Sequence, residues 1–194
     1  MMKGRIIAAA FLILCTSPSC QTHTDVVVHQ SENLSVVLRE LPSGYPALAP
    51  YHHSYPIPSK KVFIILDSVK YDAGSILPFS SGPPRRVFSG HQAQSLAPEI
   101  SKAFSQATPD TVVAFTIADE VKPNRRTKGF VFVVGGEFHL IIEEIRKPLY
   151  EGERKPYQQQ VSRWELLQSD TQRHYASRLG GKGSITNWII TPLH

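Results

Sequence analysis

Residues 128–146 read KGFVFVVGGEFHLIIEEIR, and the architecture of the whole chain turns on this segment. Two apolar runs flank Gly135-Gly136, and a glycine pair between such runs is a strong signal for a two-residue hairpin turn. A hairpin closed there places residues whose numbers sum to 271 opposite one another and on a common face. Val131, Val133, Phe138, Leu140 and Ile142 then form one apolar face. Phe130, Phe132, Val134 and Ile141 gather on the other, with His139 opposite Phe132 and Lys128 opposite Glu143. A hairpin that is apolar on both sides needs a cover on both sides. Helices on one side, and another layer or a partner protein on the other, would satisfy it.

To either side of the hairpin, residues 111–118 form a strand with Val113, Phe115 and Ile117 on one face, and residues 185–190 a closing strand that carries Trp188. Residues 95–107 predict a helix whose apolar face is Leu96, Ile100, Ala103, Phe104 and Ala107, with Pro98 tolerated in its first turn. Residues 161–179 offer a second helix, opened by Ser162 and Glu165 as a capping box and stopped at Gly180; a strand over residues 161–167 is the rival. The β-branched run Val62-Phe63-Ile64-Ile65-Leu66 suggests a strand buried on both faces. Residues 74–84 are rich in turn formers. Val26 to Val28 suit a short strand, and residues 34–41 are β-compatible through Val36 and Val37. The sum is an α+β chain: a mainly antiparallel sheet with about two helices in a single domain.

Residues 42–58 hold five prolines with Tyr45, Tyr51 and Tyr55. That proline density forbids a helix and favours extended backbone. Two uses compete: a docking segment for a partner, or a stiff connection lying across the domain with its tyrosines packed down.

At the N-terminus, Lys3 and Arg5 precede the apolar run 6–14, and Thr16, Ser17 and Ser19 precede Cys20. The run is too short for a permanent span, which needs about 20 residues, and it has the form of a cleaved export signal. This segment resembles the signals of bacterial lipoproteins, in which a cysteine becomes the lipidated first residue. The resemblance implies lipidation at Cys20, a membrane anchor, and, through Gln21 after the cysteine, the periplasmic side of the outer membrane. Ordinary secretory cleavage after Ser19 is the alternative, leaving a periplasmic or secreted protein. The resulting division is a signal peptide over 1–19, an anchored tether with the Pro/Tyr-rich segment over 20–60, and a globular domain over 61–194.

The chain has two cysteines, Cys15 and Cys20, so the mature body has no pair to join in a disulfide. The whole chain has 21 basic and 16 acidic residues. Loss of 1–19 takes Lys3 and Arg5 and leaves 19 against 16, a balance of +3 over 175 residues. That is enough chain for one core and too little charge to suggest nucleic acid as a partner.

No segment carries a motif with a mechanism behind it. His52-His53 is the one histidine pair, and neighbours on extended chain point apart, so no metal site is expected. Ser89-Gly90-His91, with Ser95 and Glu99 downstream, approaches a nucleophile–base grouping, but these residue types also open helices. His139 is either a general base or a partly buried histidine with a satisfied hydrogen bond. Glu143-Glu144 cannot cooperate as acid and base without a bulge. Asp67 and Asp72 flank a strand end, where turn residues and catalytic acids both occur. Gly180-Gly181-Lys182-Gly183-Ser184 has the glycines of a phosphate loop but not its Lys-Ser/Thr order.

Lys122, Arg125, Arg126 and Lys128 form a basic group between two strands, either a solvated loop tip or a contact for an acidic or phosphate-bearing partner. The expectation is therefore a lipid-anchored, non-catalytic binding or assembly module with an envelope partner and no cofactor, with Tyr51, Tyr55, Arg125 and Arg126 as candidate binding residues. A periplasmic enzyme, such as a hydrolase using His91 or His139 with a carboxylate, is the second reading.

Overall fold

The computed structural model describes residues 25–46, 48–52, 56–74, 82–149, 164–176 and 184–194. Its centre is the glycine hairpin. Strands β6 (Arg125–Val134) and β7 (Glu137–Pro148) are joined by Gly135 and Gly136 at φ 59° and 78°, the left-handed pair that a tight hairpin turn requires. From Gly129↔Ile142 to Val134↔Glu137 the opposed residues follow the expected register. Beyond Gly129 they do not. Lys128 faces Glu144 rather than Glu143, and Arg126 faces Lys147, because β7 inserts extra residues as bulges.

In chain order the other elements are β1 (Val26–Gln30), β2 (Leu34–Arg39), α1 (Ser59–Ser68), β3 (Lys70–Asp72), β4 (Arg85–Arg86), α2 (Gly90–Phe104), β5 (Val112–Ala118), β8 (Glu165–Leu167), β9 (Arg173–Ala176) and β10 (Ser184–Pro192). A seven-stranded antiparallel sheet runs β1-β2-β5-β6-β7-β10-β9, and a small sheet runs β4-β3-β8. The class is α+β, in a single domain with two helices among the described residues. β1 and β2 come from the stretch assigned to the tether, yet they form one flank of the main sheet.

Both faces of the hairpin are covered. Val131, Val133, Phe138, Leu140 and Ile142 join the main core with Val113, Phe115 and Ile117 of β5 and the buried faces of both helices. On the other side, Phe130, Phe132, Ile141 and Trp188 form a second cluster, packed against Leu41, Tyr45, Leu48 and Tyr51. Residues 41–46 and 48–52 thus form a strap over the second face, while Ile57 packs in the main core. The strap backbone is pinned by Tyr51 N–H to the Pro109 carbonyl (2.8 Å) and His52 N–H to the Val133 carbonyl (2.9 Å).

Three expectations need correction. Residues 61–69 are not a strand: Val62, Ile65 and Leu66 are buried in helix α1, with Val69 just beyond its end, while Ile64 is 53 % exposed. Spacings of three and four, not two, describe that pattern, and packing on α2 selects it. Helix α2 begins five residues before the expected Ser95, because Ser89 caps it: its Oγ accepts from Gln92 N–H and the Gln92 side chain accepts from Ser89 N–H. Pro98 then lies mid-helix, and it is tolerated because Pro98 and Gln94 are both on the exposed side, so the carbonyl freed by the missing N–H meets water. Finally, Trp164 to Ala176 contains no helix. β8 pairs with β3 and β9 with β10, so distant strands override the local helical spacing. The proposed cap Ser162 and stop Gly180 lie outside the described residues.

Candidate functional site

The β5–β6 connection and the N-terminus of α2 meet in an open cleft of about 290 Å³ at one end of the main sheet. Asp119 organises the connection. It is 8 % exposed, and its Oδ1 accepts the N–H groups of Val121 (3.1 Å) and Lys122 (2.8 Å). Its Oδ2 lies 3.0 Å from Arg146 Nε, an ion pair in which the N–H is out of line, so Nε has no hydrogen-bond acceptor among the described residues. Arg146 reaches the cleft from a strained backbone at φ 49°, held by its N–H on the Thr127 hydroxyl (3.2 Å). A left-handed non-glycine residue costs about 1–3 kcal/mol and marks places where a side chain must be aimed.

On the helix side, Ser89 Oγ donates to Glu120 Oε1 at 2.7 Å, and His91 Nδ1 lies 3.0 Å from the same oxygen. This is not the arrangement in which an imidazole takes the serine proton. The serine proton is directed at a carboxylate, the imidazole does not touch the hydroxyl, and the Ser89 oxygen is also engaged as the helix cap. Lys122 and Arg125 complete the lining, and no described side chain pairs with either. A second recess of about 170 Å³ adjoins through Gln92, Asp119 and Glu120 and is more apolar, with Ile117 and Pro123 in its wall.

The expected site residues are dispersed. Arg125 lines the cleft, but Arg125, Arg126 and Lys128 stand on β6 rather than on a loop tip. Arg126 is turned away, donating to the carbonyls of Pro123 and Glu32 (the latter at 3.1 Å). Lys128 pairs with Glu144 at 3.3 Å. Tyr51 is 5 % exposed and packs on Phe132 with ring centres 4.9 Å apart, so it is a core residue whose hydroxyl burial pushes above its ordinary range. Cys20, Tyr55, His53 and residues 180–183 lie outside the described residues.

The two histidines proposed for catalysis do not share a cleft. His91 is exposed at the helix start, whereas His139 is 3 % exposed in the second cluster across the sheet. His139 Nδ1 accepts the Trp188 indole N–H at 3.2 Å, and its ring stacks on Phe132 at 4.9 Å.

The Glu143-Glu144 bulge does exist. Burial, with Glu144 beside it, raises the Glu143 carboxyl; burial also acts to raise Glu144, but hydrogen bonds from Lys147 and Lys128 prevail and lower it. Glu144 lines a small surface recess that Glu143 does not reach, so the pair has no common substrate position. Asp72 is a turn residue, accepting Gly74 N–H at 2.9 Å, and Asp67 pairs with Arg86 at 2.6 Å. Among the described residues no group of three His, Cys, Asp or Glu side chains converges to hold a metal ion. No helix among them is long and apolar enough to cross a membrane.

Sequence reasoning missed Asp119, Glu120 and Arg146. Nothing local marks them: Asp119 and Arg146 are distant in the chain and meet only because β7 bulges opposite Thr127. Set against known proteins, the chain matches no family model, no curated protein and no solved structure.

Proposed function

We propose that this chain is an exported protein, anchored by a lipid on Cys20 to the periplasmic side of the outer membrane, whose folded body is a non-catalytic binding or assembly module. The cleft at the start of α2 is its binding site, and an envelope protein its partner. The localisation rests on Lys3, Arg5, the short apolar run and Cys20. The module reading rests on the wiring of the cleft. Glu120 takes both Ser89 and His91, which keeps the imidazole off a hydroxyl that also caps the helix, while Lys122 and Arg125 face the cleft unpaired among the described residues. Groups of this kind suit recognition of a carboxylate or phosphate on a partner more than bond cleavage.

The gathering of Ser89, His91 and Glu120 favours a second reading, a periplasmic hydrolase. One experiment separates the two. The anchored protein is recovered from membranes of its host, beside a Lys122→Ala/Arg125→Ala variant and a Cys20→Ser variant. A single envelope protein retained at equal stoichiometry by the parent and lost by the double variant supports the module, and release of the Cys20→Ser protein into the soluble fraction supports the anchor. Ester or amide turnover by the purified protein that disappears in His91→Ala, a substitution at an exposed position, would overturn the module in favour of the enzyme.

A further inference from the structure

β1 ends the main sheet on one side, and its first two residues are exposed apolar side chains: Val26 at 53 % and Val27 at 59 %. An open strand edge ordinarily invites another strand. This one is blunted. A bulge lies between Val27 and His29, the Lys102 ammonium donates to the Val28 carbonyl at 3.4 Å, and His29 Nδ1 sits 3.4 Å from Glu99 of α2. An incoming strand would have to displace these contacts, so the edge is poorly suited to a second copy or an extended peptide. A lipid surface makes no such demand. It takes up apolar side chains without pairing the backbone, and its phosphates suit the exposed Lys102.

Chain length supplies the remaining argument. Val26 follows Cys20 by six residues, a reach of about 20 Å at full extension. A tether that short holds β1 at high local lipid concentration, so a contact too weak to recruit the protein by itself becomes populated. The cleft lies at the other end of the strands. Val26 pairs with Leu38 and Leu38 with Val113, whereas Leu34 pairs with Ile117, next to the connection that carries Asp119 and Val121.

Given the lipid anchor proposed above, we infer that the β1 edge rests on the membrane surface, with Val26 and Val27 among the headgroups and Lys102 toward the phosphates, and that the cleft is held at the far end of the sheet, open to the aqueous side.

The test uses the lipidated full chain in vesicles of phosphatidylethanolamine and phosphatidylglycerol. Single-cysteine variants Val27→Cys and Val121→Cys, both at exposed positions, carry an environment-sensitive fluorophore, Cys20 being blocked by its lipid. A quencher attached to lipid should quench position 27 at least about threefold more strongly than position 121. Equal quenching at the two positions, with intact mass showing the lipid on Cys20, overturns the membrane contact and leaves the anchor standing. An unmodified Cys20 with no quenching at either position overturns both.

Discussion

His139 shows what a single residue can report. Its Nδ1 accepts from Trp188, so the neutral ring carries its proton on Nε2, which is buried with no partner among the described residues. Protonating Nδ1 would turn an acceptor into a second donor facing the indole. Burial, with Arg173 nearby, lowers the pKa from 6.5 to about 4. The unfolded chain therefore takes up a proton as pH falls through 6.5, and the folded chain does not until about 4. Stability is full above 6.5 and declines toward 4, by roughly 3 kcal/mol in all. Urea unfolding at pH 7.5 and 4.5 measures this. His139→Phe should flatten that part of the slope, since the unpaired Trp188 N–H it leaves has a cost independent of pH. An unchanged slope would argue against a neutral, buried His139. The place of this residue opposite Phe132 was legible from the hairpin register; the fate of each nitrogen was not, because it depends on Trp188 from another strand.

Among the elements, α1 and α2 differ in how much of each was written locally. α2 has a cap and box at Ser89 and Gln92 and a consistent apolar face, so its existence was legible, but it starts five residues and ends three residues earlier than residues 95–107. α1 has no such cap: its N-terminus is Pro58, whose carbonyl accepts Lys61 N–H and Val62 N–H. Five consecutive apolar residues satisfy both the strand and the helix period, and only the neighbouring element breaks the tie. The helix makes a sharp distinction between adjacent isoleucines. Ile65 is 3 % exposed and Ile64 53 %. Ile65→Ala should cost about 2–5 kcal/mol, and Ile64→Ala less than about 0.5 kcal/mol, by denaturant unfolding. Equal costs would mean that the segment is not packed as this helix.

Taken as one body, the protein answers a need set by a single hairpin. Its helix-side face is closed by α1 and α2, and its other face by the strap of residues 41–46 and 48–52. The protein therefore does not depend on a partner to cover that second face. Tyr45 meets Phe130 and Trp188 edge-on at 6.1 and 6.2 Å, and Tyr51 covers Phe132. Truncating Tyr51 to Ala should lower stability by about 3 kcal/mol and shift the Trp188 emission to the red as water reaches the cluster. A variant with parental stability and emission would show that the strap is not a structural layer.

Short-range chemistry along the chain was enough for the hairpin, its register from Gly129 to Val134, the two apolar faces, the capped helix and the α+β class. These follow from turn preferences and from alternation over a few residues. Long-range packing settled that residues 59–68 form a helix, that residues 165–167 and 173–176 pair as strands, and that Asp119, Glu120 and Arg146 converge on one cleft with Ser89 and Arg125. Those outcomes depend on which remote surface each segment buries, and no local window contains that surface.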